Sequence, residues 1–98
     1  MKNKKAENKQ RAKQPAVAWS DHAWDDYLYW QAEDKTIAAG INALIEECRR
    51  HPFTGTGKPE PLKGDLSGYW SRRITREHRL VYLPGDGVVY IAQCRFHY

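Results

Sequence analysis

The sequence predicts an α+β domain in which two N-terminal helices pack on a twisted, mainly antiparallel sheet. Three observations lead there. One apolar stripe repeats at helical spacing between residues 37 and 48, three β-type runs separated by turn signals follow residue 68, and a short apolar run precedes the helices. Helical and strand patterns segregated along a chain, rather than alternating, place the helices on one side of the sheet. Ninety-eight residues accommodate one domain, expected at 16–98 behind a basic, disordered tail at 1–15.

The tail carries six basic side chains against Glu7 and almost no hydrophobic residue, so it lacks the apolar surface that ordering requires. It reads as dispensable, although a nucleic-acid-binding arm, a misassigned start or a cloning remnant fits the same composition. Ala16-Val17-Ala18-Trp19 is a strand-like run. Ser20 is a candidate N-cap and Asp21 suits the positive end of the helix that follows, over residues 21 to about 33. Trp24, Tyr27, Leu28 and Gln31 fall at helical spacing there, and the aromatics of this segment (Trp24, Tyr27, Tyr29, Trp30) are read as packing. Asp34 can cap a second helix, whose stripe is Ile37, Ile41, Leu44, Ile45 and Cys48. Arg49, Arg50 and His51 complement its C-terminal dipole, and Pro52 stops it.

Residues 53–68 hold four glycines and two prolines and read as a long loop of the kind that carries function. Strands are expected at 69–75, 78–83 and 88–96. Arg76 and Glu77 form the first connection and Pro84-Gly85-Asp86-Gly87 the second. Alternation puts Val88, Tyr90, Ala92, Cys94 and Phe96 on one face of the last strand, and Val89, Ile91, Gln93, Arg95 and His97 on the other. Cations alternate along the strands, so the face turned away from the helices is expected to be basic.

Composition excludes several classes. A mean hydropathy of −0.83 and 29% charged residues leave no apolar run of about 18 residues for a membrane span. The charged N-terminus lacks the apolar segment of a signal peptide. Cys48 and Cys94 are too few for a disulfide scaffold or a zinc site, and Cys48 reads as a reduced core thiol. A soluble, cytoplasmic, mildly basic domain is the expectation, with no cofactor. The net charge of +4 is the remainder of a −6 block at residues 16–47 between two +5 blocks, so the C-terminal half would attract a polyanion.

No phosphate-binding glycine fingerprint, metal-ligand cluster or nucleophile elbow occurs. The second half instead gathers Lys58, Glu60, Lys63, Arg72, Arg73, Arg76, Glu77, His78, Arg79, Arg95, His97 and Tyr98. Metal-free RNA cleavage needs such a set: a base for the 2′-hydroxyl, fixed cations for the pentacovalent phosphate, and an acid for the departing 5′-oxygen. Glu60, between Pro59 and Pro61, would be presented on a stiff extended segment, with Lys58 and Lys63 favouring its carboxylate. A plain surface turn suits it as well, and Glu77 competes as base. His97 can donate a proton near neutral pH, and Tyr98 offers a face for base stacking. Arg73 and Arg79 could meet across a hairpin and hold an anion between them; ordinary pairs with Glu77 or Asp65 are the alternative. His22 and His51 read as helix-end residues and His78 as a strand-start residue.

On these residues the chain strongly resembles the YoeB toxins, ribosome-dependent mRNA interferases of the RelE superfamily. The stretches that carry the resemblance are Trp24-Asp25-Asp26-Tyr27-Leu28-Tyr29-Trp30-Gln31, Gly57-Lys58-Pro59-Glu60-Pro61-Leu62-Lys63, Leu66-Ser67-Gly68-Tyr69-Trp70-Ser71-Arg72-Arg73-Ile74-Thr75, Glu77-His78-Arg79-Leu80-Val81-Tyr82 and Cys94-Arg95-Phe96-His97-Tyr98. It covers residue 17 to the C-terminus. The resemblance implies a microbial-ribonuclease-like fold and mRNA cleavage in the ribosomal A site, with no metal. By position it implies Glu60 as general base, His97 as general acid, Arg79 as the transition-state cation, Lys63 and Arg73 as RNA contacts, and Tyr98 as a catalytic or base-positioning group. It also implies a homodimer neutralised by a YefM-type antitoxin. The 1–15 tail and the Pro84-Gly85-Asp86-Gly87 turn depart from the family's pattern. A non-catalytic module of the same fold, binding the ribosome or another macromolecule, is the competing expectation.

Overall fold

The computed structural model describes residues 14–97, and the tail reading for residues 1–13 lies outside them. β1 (Ala16–Trp19) leads into α1 (Asp21–Glu33) and α2 (Lys35–Arg50), followed by β2 (Glu60–Pro61), β3 (Trp70–Arg73), β4 (Arg79–Gly85) and β5 (Val88–Gln93). The five strands are ordered β1-β5-β4-β3-β2. β1 runs parallel to β5, and the other neighbours are antiparallel. The two helices, the one-sided sheet and its mainly antiparallel pairing are as the sequence predicts.

Both helix starts follow from their caps. Ser20 Oγ accepts the Ala23 N–H at 2.9 Å and donates to Ala92 O at 2.8 Å, so one hydroxyl opens α1 and ties it to the end of β5. Asp34 Oδ1 accepts the Thr36 and Ile37 N–H groups, each at 3.1 Å. Such caps are worth about 1 kcal/mol apiece. In α2 the expected stripe is the buried one: Ile41, Leu44, Ile45 and Cys48 enter the core with Ala38, and Ile37 packs at its margin. They meet Leu80 and Tyr82 of β4 and Val89 and Ile91 of β5, the sheet face covered by the helices. Burial pushes the Cys48 thiol up to about 11 and the Cys94 thiol to about 12, as suits reduced core sulfurs.

The structure corrects the expectations at five places. In α1 the helical spacing is right but the buried face is Ala23, Asp26 and Trp30, whereas Trp24 and Leu28 are 44% and 48% exposed. A carboxylate replaces the expected apolar residue because Asp26 Oδ2 accepts the backbone N–H of Cys94 at 3.1 Å. In β5 a register shift pairs Val81 with Gln93 but Tyr82 with Ile91, leaving Ala92 as the extra residue. That bulge breaks the alternation drawn through residues 88–96. Gln93 moves to Val81's side, while Cys94 is buried with Val89 and Ile91. Arg72 lies on the helix-covered face, wholly buried, rather than on a basic outer face. β3 stops at Arg73, so its connection to β4 is 74–78, longer than Arg76-Glu77. β4 continues through Pro84 and Gly85, and Asp86-Gly87 alone turns the chain, with Gly87 at φ 72°.

Candidate active site

Glu60 is placed by two devices, one local and one remote. The flanking prolines hold it extended, and it pairs with Ser71 as the outermost strand of the sheet, its side chain exposed. The segment before it is anchored by Arg72. That guanidinium donates from Nε to Tyr82 Oη at 3.2 Å, from Nη1 to Thr56 O at 3.2 Å, and from Nη2 to Thr54 O at 2.9 Å and to His51 O. Glu47 Oε1 lies 3.8 Å from Nη1 and accepts the Thr56 N–H at 3.1 Å. The Thr56 hydrogen bonds, helped by the Arg72 charge, hold the Glu47 carboxyl below its ordinary range. One buried cation thus satisfies the carbonyls of a loop that has no regular partner.

Gly57 closes the approach. Its φ is 83°, its carbonyl accepts the Arg73 N–H at 2.7 Å, and an added Cβ would stand 2.9 Å from Arg73 O. Gly57→Ala is therefore expected to cost about 1–3 kcal/mol through a disfavoured backbone and a contact with an immobile carbonyl. A lowered urea midpoint with unchanged m would register it; an unchanged midpoint would mean that the loop is not packed on β3 as described.

The sheet register collects the expected cations around Glu60. Arg73 is the direct partner of Arg79, and Ser71 is the partner of Glu60. Alternation puts Glu60, Ser71, Arg73, Arg79 and Val81 on the face opposite the helices. Ser71 and Val81 are buried on that face, so its middle is closed and the charged groups frame it. Two strand spacings and a two-residue offset separate the α-carbons of Glu60 and Arg79 by about 12 Å. Arg79 Nη1 donates to three carbonyls of the preceding turn, Thr75 O, Arg76 O and His78 O, at 2.9–3.2 Å. Neither arginine pairs with Glu77 or Asp65; the ion pairs among the described residues lie on the helices and at Arg72. Lys63, exposed, precedes the short 3-10 turn Gly64–Leu66 just past β2.

The chain end reaches this face through a clamp that the sequence reading missed. Trp30 Nε1 donates to Cys94 O at 2.8 Å while Asp26 Oδ2 accepts from Cys94 N, so α1 holds the peptides on both sides of Cys94. Arg95 then stacks on Tyr29, 3.5 Å from the ring centroid. Phe96 takes the left-handed conformation, φ 64°, its N–H bonded to His78 Nδ1 at 2.8 Å and its carbonyl accepting the Arg79 N–H at 3.0 Å. His97 thus follows directly on a residue hydrogen-bonded to Arg79. Tyr98 lies outside the described residues. The structure therefore brings Glu60, Arg73 and Arg79 to one sheet face, with His97 next in the chain after the residue bonded to Arg79 and Lys63 two residues past β2.

The sequence reading grouped Arg72 and His78 with the ionisable residues and Trp30 with the packing aromatics, but it did not find the bonds that Arg72, His78, Asp26 and Trp30 make. Arg72 was accessible to it, because alternation from Trp70 puts it on the core side; His78 was not, since its partner lies eighteen residues away. The groove between α2 and β3, lined by Gly40, Ala43, Leu44, Glu47, Thr56, Arg73 and Ile74, shares only Arg73 with the set. Among the described residues no cluster of three His, Cys, Asp or Glu side chains could hold a metal ion, and no helix is long and apolar enough to cross a membrane.

A family model described as YoeB-like toxin of bacterial type II toxin–antitoxin system matches residues 19–98. Toxin YoeB of Escherichia coli K12 is 64% identical over 82 residues, covering 84% of this chain and 98% of its own. A YoeB/ParE toxin from Agrobacterium tumefaciens superposes with a TM-score of 0.82 at 54% identity, covering 85% of this chain and 99% of its own. Two Staphylococcus aureus structures, a YoeB dimer and a YoeB–YefM complex, give TM-scores of 0.81 and 0.80 at 45% and 44% identity, each covering 86% of this chain and 98% of the other.

Proposed function

Because the chain belongs to the YoeB-like toxins of bacterial type II toxin–antitoxin systems, we propose that it is an endoribonuclease that cuts mRNA in the ribosomal A site and so arrests translation. The observation that carries the reading is the shared sheet face: Glu60, Arg73 and Arg79 in register, with Phe96 bonded to Arg79 and delivering His97. The Glu60 carboxylate takes the proton of the 2′-hydroxyl, whose oxygen attacks phosphorus. As the P–O5′ bond breaks, His97 gives its proton to the departing oxygen, leaving a 2′,3′-cyclic phosphate and a 5′-hydroxyl.

Charge develops on the non-bridging oxygens in between, where Arg79 is useful because its turn contacts already fix it. A cation oriented before the reaction needs no reorganisation at the transition state. Arg73 and Lys63 contact the phosphates on either side, and Tyr98 positions a base. No metal is assigned to either proton transfer. The Staphylococcus aureus dimer and YoeB–YefM complex support a homodimer and a YefM-type antitoxin as partners here.

Incubating the protein with mRNA-programmed ribosomes and mapping the ends tests the proposal. A single cut in the A-site codon ending in a 2′,3′-cyclic phosphate is expected, with ribosome affinity falling steeply as salt rises because phosphate contacts release counterions. Salt-sensitive binding without any cut would leave a non-catalytic ribosome-binding module. Salt-insensitive binding would point to a protein target.

A further inference from the structure

We infer that His78 is a positioning residue for the C-terminal imidazole, acting through the Phe96 peptide; this rests on the reading of His97 as general acid. The backbone at Phe96 is the starting observation. A phenylalanine at φ 64° occupies a region that L side chains avoid. The residue is 57% exposed, so burial does not hold it there. Its backbone bonds do. The N–H goes to His78 Nδ1 at 2.8 Å, and the carbonyl accepts from Arg79 N at 3.0 Å and from Gln93 Nε2 at 3.4 Å.

The donors to that carbonyl come from two strands, whereas the N–H rests on one imidazole nitrogen. To accept there, His78 must be neutral with its proton on Nε2. The ring is itself braced, edge-on to Trp30 with centroids 4.8 Å apart and against the Phe96 ring at 5.6 Å. The His78 backbone N–H donates to Thr75 Oγ1 at 3.2 Å, within the turn that fixes the Arg79 guanidinium. One residue therefore sets the direction of the chain into His97 and contributes a carbonyl, His78 O, to the seat of Arg79. A hydrophobic ring in its place keeps the packing and loses the acceptor.

The test compares wild-type protein with His78→Phe, which retains a ring but accepts nothing, and His78→Asn, whose Oδ1 stands where Nδ1 was. Single-turnover cleavage on programmed ribosomes should show kcat lowered about 10- to 100-fold in His78→Phe with KM nearly unchanged, because a displaced acid misses its target while the cations still bind. His78→Asn should recover most of that loss. Amide hydrogen exchange at Phe96, read by NMR without any substrate, should be slow in wild type and in His78→Asn and fast in His78→Phe.

Wild-type kcat in His78→Phe overturns the inference, as does a loss that His78→Asn does not restore. Fast Phe96 exchange in the wild type overturns it even if His78→Phe fails to fold. A protected Phe96 amide in a wild-type protein that cuts no mRNA sinks the nuclease reading instead, leaving the clamp on the chain end intact.

Discussion

Replacing His97 by alanine is expected to lower the rate of mRNA cleavage by about 10²–10⁴-fold while ribosome affinity changes little. The two effects separate because they rest on different groups. Affinity is spread over many cations, and proton donation to the 5′-oxygen belongs to one. His97 is exposed and outside the core cluster, so its loss should leave the urea midpoint near that of the wild type. Glu60→Gln should behave in parallel, since the amide keeps the shape and loses the basicity. Full cleavage by the His97 variant would remove it as the acid. A collapse of ribosome affinity in Glu60→Gln would make that residue a binding group.

Arg72→Leu should destabilise the protein by about 3–5 kcal/mol, the range for removing one partner of a buried ionic cluster. The guanidinium is entirely buried, and its removal takes a donor from His51 O, Thr54 O, Thr56 O and Tyr82 Oη and the ion-pair partner from Glu47. Arg72→Lys should rescue poorly, because one ammonium cannot cover a planar fork of donors. Denaturation in urea measures the change directly, and the variant should lose cleavage as well, because the segment that leads to Glu60 hangs from this side chain. A loss under 1 kcal/mol would show that the 51–57 segment is held by something other than Arg72.

The extended backbone at Glu60 and the facing of Arg73 and Arg79 were legible in the sequence. Glu60 could be read as extended because proline restricts backbone angles locally, whatever the tertiary context, and it appears as the edge strand β2. The Arg73–Arg79 pairing could be anticipated from the sequence interval between two strand patterns, and the register confirms the pairing while lengthening the turn. Arg72 and Arg73, adjacent and chemically alike, were indistinguishable by composition. Pleating sends one to the core and the other outward, and only the number of carbonyls waiting on the core side makes burial of a charge tolerable.

The amino-acid order by itself determined the two capped helices, the stripe from Ile41 to Cys48, the strand-rich second half and the family signature. Each of these rests on interactions within a few residues or on periodicity, which a linear reading samples fully. Only the tertiary structure decided the parallel docking of β1 on β5, the bulge at Ala92, the burial of Asp26, the carbonyls gathered around Arg72, and the seat of Phe96 on His78. Those features join groups far apart in the chain, where hydrogen-bond satisfaction in a closed interior, rather than local preference, selects the arrangement.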